Sequence, residues 1–293
     1  MLVAAVAAGS HWFTYPNFDP VAIHLGPISI RWYGLTYLFG ALMVYLQLQS
    51  ARSRARTGMT VDQAQEFVVY AMIGVIVGGR VFYLIADMLT PGGHAASYYF
   101  QHPLELIAIW EGGMAFHGGL IGAVVGSWFF LRRNKISFNR LADETSLWIP
   151  LAIALTRFAN FINGELPGRL TDSPIGMQFP SAVGYRYPSV LFEAAGMLVI
   201  VLPLLWLIHR WKGRGDGVIW WAFIAGYGLV RTIVEFYREP GIVWLGLNAA
   251  QWLTIAMFIL GIVMWIRCQR AGPTAELAPA VQPPKPKSYT ARA

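Results

Sequence analysis

Residues 218–237 read VIWWAFIAGYGLVRTIVEFY, and the remainder of the chain takes its meaning from this stretch. A helix of ~20 mostly apolar residues is what spans the hydrocarbon core of a bilayer. Only Arg231 and Glu235 carry charge in it, and each charge costs about 2.5–3.5 kcal/mol at a helix centre unless paired or solvated. Tyr227, Arg231 and Glu235 are spaced four apart and so share one helix face, where Glu235 can hold Arg231 and leave part of its guanidinium fork free. Taken alone, the pair fits a tie between helices as well as it fits a working site.

Outward from this span, the composition agrees. The chain has 293 residues, 56% hydrophobic and only 13% charged, with Trp 12, Tyr 13 and Phe 17. Soluble domains carry about a quarter charged residues, and the mean hydropathy is +0.49. Disorder, a collagen-like fibre and a disulfide scaffold are excluded, because the lone Cys268 can form no internal bridge. Six further apolar stretches, roughly 28–49, 66–88, 114–131, 143–162, 189–209 and 248–266, give an expected all-α, polytopic membrane protein of about seven spans. The 143–162 stretch is the weakest, since Pro150, Arg157 and Asn160 interrupt it. Residues 1–271 are expected to form a single transmembrane catalytic domain. Met1–Ala8 reads as an uncleaved leader at the membrane surface, because no Lys or Arg precedes it. The Gly- and Pro-rich external loop 163–188 is long enough for a lid, and the Pro-, Ala- and Lys-rich residues 272–293 read as a disordered cytoplasmic tail.

Basic residues give the orientation. Arg52, Arg54 and Arg56, then Arg132, Arg133, Lys135 and Arg140, then Arg210, Lys212 and Arg214, and the tail's Arg267, Arg270, Lys285, Lys287 and Arg292 all fall on one side of a seven-span chain. The positive-inside rule puts that side in the cytoplasm, with the N-terminus outside and the C-terminus inside. The net charge of +7 is thus a topology signal and calls for no nucleic acid.

Arg31, Arg80, Arg157 and Arg231 remain, inside spans or at their outer edges. Arg157 and Asn160 lie one turn apart, Asn163-Gly164 marks the helix end, and Glu165 follows just outside. Gly118, Gly122 and Gly126 form a small-residue stripe suited to close helix packing, with His117 beside it, and Gly78-Gly79-Arg80 has the same character. His11, His24, His94, His102, His117 and His209 show no ligand spacing, so no metal and no cofactor is expected. Arginine forks match phosphate oxygens. The residues therefore point to a phospholipid headgroup site near the outer leaflet.

Phe116-His117-Gly118-Gly119-Leu120-Ile121-Gly122 and Arg157…Asn160-Phe161-Ile162-Asn163-Gly164-Glu165…Gly168-Arg169 resemble the bacterial prolipoprotein diacylglyceryl transferases. So do Phe18-Asp19-Pro20, Trp32-Tyr33-Gly34, Gly78-Gly79-Arg80, Pro188-Ser189…Glu193 and Arg231…Glu235-Phe236…Arg238, in family order from about residue 17 to 266. The resemblance implies a multi-pass enzyme of the bacterial inner membrane, its site toward the outer leaflet. It would move the diacylglyceryl group of phosphatidylglycerol to the lipobox cysteine in the signal peptide of a prolipoprotein, releasing glycerol-1-phosphate. It also implies site residues: Arg157 and Arg231 on the phosphate, Asn160 and Tyr33 positioning the lipid, Tyr227, Arg80 and Gly168 completing the lipid site. His117 is the candidate base, with Glu165 and Glu235 orienting the arginines. The pattern departs at Thr156 and Ala159, where the family has Gly, and at Tyr187, Val190 and Phe192, where it has His, Gln and Tyr. Those departures bear on substrate preference and turnover. Two other readings stay open here, a catalytically silent paralogue that binds phospholipid or lipoprotein, and an anion transporter or channel.

Overall fold

A computed structural model describes residues 11–16, 18–25, 28–109, 112–239 and 241–273. The leader Met1–Ala8, Glu111 and the tail beyond residue 273 lie outside them. In chain order, β1 (Val21–Leu25) and β2 (Ile28–Arg31) lead into α1 (Trp32–Gln49), followed by α2 (Ala51–Thr57), α3 (Val61–Leu89), α4 (Ala96–Gln101), α5 (Phe116–Asn134), α6 (Phe138–Ser146) and α7 (Ile149–Ile162). Then come β3 (Met177–Gln178), β4 (Tyr185–Arg186), α8 (Ser189–Gly196), α9 (Leu202–His209), α10 (Val218–Glu235), β5 (Val243–Trp244), β6 (Leu247–Asn248) and α11 (Ala249–Ala271). An all-α chain was expected. The protein is mainly helical, but it adds three two-stranded antiparallel hairpins, β1–β2, β3–β4 and β5–β6. The last two have strands of two residues, too short to show an alternating pattern in the sequence, and β2 lies within the apolar stretch 28–49. In β5–β6 the turn residues Leu245 and Gly246 both have positive φ, the conformation that matches a two-residue loop to strand twist.

Seven spans were expected. Among the described residues, four helices are long and apolar enough to cross a membrane: Val61–Leu89, Ser189–His209, Val218–Glu235 and Ala249–Ala271. A fifth forms if α6 and α7, bent by 49°, count as one broken span. The break has a cause in Pro150, which has no N–H to give the Ser146 carbonyl and whose ring crowds it. Helices also occupy the other two expected positions, α1 and α5. They fall short on composition, α1 through Trp32, three tyrosines and two glutamines, α5 through His117, Arg132, Arg133 and Asn134. A second proline shapes Ser189–His209. Pro203 cannot donate to Val199, and the helix widens into a π turn over Met197–Val201 just before it.

The described residues divide into two compact units, one comprising Tyr45–Leu141, the other the residues up to Val44 together with residues 142–273. In the first, α3 and α5 pack backbone to backbone along the expected glycine stripe. A Cβ on Gly122 would lie 1.9 Å from the Gly74 carbonyl oxygen, one on Gly78 2.3 Å from that of Gly118, and one on Gly126 2.3 Å from that of Tyr70. Gly122→Ala therefore overpacks the contact, at a cost of about 1–3 kcal/mol. We expect it to lower the thermal unfolding midpoint in detergent by several degrees. Gly241→Ala, where a methyl group meets open space, should leave the midpoint unchanged. Large apolar side chains elsewhere on these helices, Ile73, Val77, Leu120 and Val124 among them, are more than half exposed, as expected of surface whose solvent is lipid.

The other unit has a core of Leu147, Ala154, Met197, Val201, Leu205, Val218, Ile219, Val230 and Val234, from the α6–α7 junction to α10. Gly217 gives α10 no side-chain cap. Buried Asp143 of α6 does so instead, accepting from the backbone N–H groups of Gly217, Ile219 and Trp220 at 2.9–3.0 Å. The charge suits the positive end of the helix. Glu144 and Arg214 form a buried ion pair beside it at 3.3 Å. With its N-terminal end so anchored, α10 runs to Arg231 and Glu235. Gly228 allows close approach to α11, whose Thr254 hydroxyl pairs with that of Thr232 at 2.8 Å. Loop 163–188 is held by a small core of Phe161, Met177, Phe179 and Val190, closed by Tyr15, whose hydroxyl donates to the carbonyls of Phe161 and Ile162.

Candidate functional site

Three helix segments of this unit converge on one buried charge. Glu193, on α8, is fully buried; its Oε1 lies 3.0 Å from Arg157 Nη2 on α7 and its Oε2 3.9 Å from Arg231 Nη1 on α10. Arg231 also pairs with Glu235, one turn on, at 2.6 Å. Glu235 is fixed by Asn248, the N-cap of α11, at 3.1 Å, and has Arg238 Nε at 3.8 Å. Tyr227, one turn before Arg231, places its hydroxyl in the field of Arg231, Glu193 and Arg157.

Three guanidinium groups thus surround two carboxylates, a local surplus of one positive charge in a largely buried setting. Burial, with the neighbouring Arg231 charge next, pushes the Arg238 guanidinium below its ordinary pKa. Among the described residues, Arg157 Nε, Arg231 Nη1 and Arg238 Nη1 are buried without a hydrogen-bond acceptor, and both Glu193 oxygens and Glu235 Oε2 meet the arginines as ion pairs without hydrogen bonds. Under-compensated, under-bonded arginines in a low-dielectric pocket suit an anion with several oxygens.

The end of α7 continues the site through neutral groups. Arg157 Nη1 donates to Asn160 Oδ1 at 3.0 Å, and Asn160 Nδ2 donates to the Tyr33 hydroxyl of α1. Tyr33 in turn donates to Glu165 Oε2 at 2.5 Å, with Asn160 Nδ2 at 3.1 Å from the same oxygen. Asn163 Nδ2 donates to Glu165 Oε1 at 3.0 Å. Glu165 was expected to orient the arginines, and here the structure differs. Among the described residues its side chain meets only Tyr33, Asn160 and Asn163. The reason is local: Gly164, at φ 67, turns the chain back over the helix end, and the Glu165 N–H bonds the Asn160 carbonyl at 2.9 Å. Glu235, by contrast, lies against Arg231 and Arg238.

Tyr33, Arg157, Asn160, Glu165, Tyr227, Arg231 and Glu235 therefore share one unit. Gly168 lies beside them, bridged to Arg238, and a Cβ there would fall 2.3 Å from the Tyr237 carbonyl oxygen and 2.7 Å from that of Tyr187. The close approach it permits is between backbone segments. Arg80 and His117 belong to the other unit. The Arg80 guanidinium donates to the carbonyls of Glu105, Leu106, Gly112 and Gly113, tying that loop to α3. His117 is exposed in the first turn of α5.

The sequence reading did not include Glu193, Arg238, Asn248 or Asn163 among the site residues. A signal existed for Glu193, the one acidic residue in the apolar run 189–209. That it faces two arginines from other helices is a tertiary fact.

A family model described as prolipoprotein diacylglyceryl transferase matches residues 20–267. A protein of Cupriavidus metallidurans is 42% identical over 274 residues, covering 90% of this chain and 98% of its own. One from Geobacter sulfurreducens is 43% identical over 265 residues, covering 87% and 97%, and one from Bordetella avium 40% over 263 residues, covering 87% and 97%. All three are named phosphatidylglycerol–prolipoprotein diacylglyceryl transferase. With most of its length matched in this way, the chain belongs to the prolipoprotein diacylglyceryl transferase family.

Proposed function

We propose that this protein transfers the diacylglyceryl group of phosphatidylglycerol to the lipobox cysteine thiol of a prolipoprotein. The observation that carries this reading is the gathering of Arg157, Arg231 and Arg238 on two buried carboxylates, Glu193 and Glu235, with a positive charge to spare. The cysteine sulfur attacks the glyceryl carbon that bears the phosphate ester. A carbon–sulfur bond forms, the carbon–oxygen bond breaks, and its electron pair leaves on glycerol-1-phosphate. The phosphate charge rises from one toward two in that step. Arginine forks already in place favour the developing dianion over the monoanionic diester, which lowers the barrier.

Asn160 and Tyr33 position the lipid next to Arg157, and Tyr227 and Gly168 flank it. A free thiol has a pKa near ~8.5, so a base must help form the nucleophile; His117 takes that proton. Arg80 is proposed as a residue that orders its own unit, through the carbonyls of Leu106 and Gly112 that it binds.

The protein acts in the bacterial inner membrane as a seven-span chain, with α1, α5 and the bent pair α6–α7 completing the four clear spans. Its N-terminus is outside and its C-terminus cytoplasmic. Supporting this, the site uses the N-terminal end of α1 and the C-terminal ends of α7 and α10, which all fall on the outer side in that arrangement.

The test uses purified protein in detergent, phosphatidylglycerol and a synthetic peptide with a lipobox cysteine. The peptide should gain the diacylglyceryl mass while glycerol phosphate is released, and both should vanish when the peptide cysteine is replaced by serine. Lipid binding without either product would instead mark a silent paralogue.

A further inference from the structure

Asn163 and Glu165 leave an acceptor surplus beside the arginines. The Asn163 amide uses its nitrogen on Glu165 Oε1, while its Oδ1 is buried and, among the described residues, receives no hydrogen bond. Turning the amide over gives no relief, because Oδ1 would then face the carboxylate oxygen. A carboxylate oxygen accepts more than one donor, so Glu165 Oε1, with Asn163 as its partner, keeps room for another. Two adjacent acceptors thus have capacity left for donors, one of them buried and unmet, and an unmet buried acceptor is costly until a ligand satisfies it. The link to the phosphate side is short, since Asn160 touches both Arg157 and Glu165.

A ligand that fits carries an anionic phosphodiester for the arginines and, within a few bonds of it, hydroxyl groups that donate. We infer that Asn163 and Glu165 form a headgroup subsite that reads the free hydroxyls of the glycerol headgroup. They therefore select this lipid over phosphodiester lipids of equal charge whose headgroup has no donor. The carboxylate has a reason to be there, although it faces an anionic substrate: it accepts from the diol and is kept off the phosphate by Tyr33, Asn160 and Asn163. The inference rests on the transferase reading and deepens it.

The test compares phosphatidylglycerol with phosphatidylethanol of the same acyl chains, measuring kcat/KM for transfer to the lipobox peptide. Wild-type protein should prefer phosphatidylglycerol by at least about 10²-fold, since sites built to bond a substrate hydroxyl reject analogues that lack it by about 10⁴–10⁵-fold. Asn163→Leu should bring the two lipids within about threefold of each other, through loss of rate with phosphatidylglycerol. Equal use of both lipids by the wild type overturns the subsite and leaves the transferase reading intact. So does an Asn163→Leu protein that loses rate equally on both lipids with a raised KM for the peptide, which would assign the acceptors to peptide N–H groups. No product from either lipid with the wild type overturns the transferase reading itself.

Discussion

Arg157→Ala is expected to lower kcat/KM for diacylglyceryl transfer by more than about 10³-fold. Loss of a single preorganised donor to a developing oxyanion costs about 10²–10³ in kcat, and Arg157 supplies a full charge as well. It is also the hub of the site, ion-paired with Glu193 at 3.0 Å and donating to Asn160 Oδ1 at 3.0 Å. Its removal leaves the Asn160 amide free to turn and the Glu193 carboxylate with Arg231 alone. The loss should fall mainly on kcat, because the charge that Arg157 meets grows only as the carbon–oxygen bond breaks. Arg157→Lys keeps the charge but loses the planar fork. It should recover no more than part of the rate, which initial-rate measurements against both substrates will show.

Glu193→Gln should have the second largest effect, on activity and stability together. Glu193 is fully buried, and both of its oxygens face guanidinium groups. Removing one partner of a buried ion pair costs about 3–5 kcal/mol, because the other charge is left uncompensated. Here two arginines from different helices would repel across a neutral amide. The local surplus rises by one positive charge, so the anionic lipid should bind no more weakly, while the forks lose the spacing that suits the leaving phosphate. We expect a lowered thermal midpoint, a fall in kcat of about 10²-fold or more, and a KM for phosphatidylglycerol that does not rise. Glu193→Asp, with the charge kept, should restore part of both. A Glu193→Gln protein with unchanged kcat would assign the residue to packing alone.

How much of this was legible before the structure depends on range. The Tyr227, Arg231 and Glu235 face follows from helix periodicity, and α10 carries it as expected. The glycine stripe announced close helix packing, and α3 and α5 meet there. Pro150 flagged the weak span, and the chain breaks beside it. In each case the cause sits within a few residues of the effect. Glu193 is different. It was visible as an acid in an apolar run, but its partners lie 36 residues before it and 38 after it, on other helices. The capping of α10 by Asp143, 74 residues away, is equally long-range. Glu165 failed for the opposite reason. Its sequence neighbourhood suggested arginine, yet one glycine in the left-handed region turned its carboxylate toward Tyr33. The hairpins β3–β4 and β5–β6 escaped because two-residue strands carry no period, and β2 because its residues run on into the apolar stretch 28–49.

The central claim is that the bond broken is the one between the glyceryl carbon and the phosphate oxygen, with sulfur taking the carbon. Phosphatidylglycerol labelled with one isotope in its acyl chains and another in its phosphorus tests it directly, in a single-turnover reaction of the purified protein with the lipobox peptide. The acyl label should appear on the peptide and the phosphorus label in water-soluble glycerol phosphate, in equal amounts and at the same rate. Phosphorus label on the peptide, or acyl label released as free fatty acid, would mean that a different bond breaks and would contradict the account.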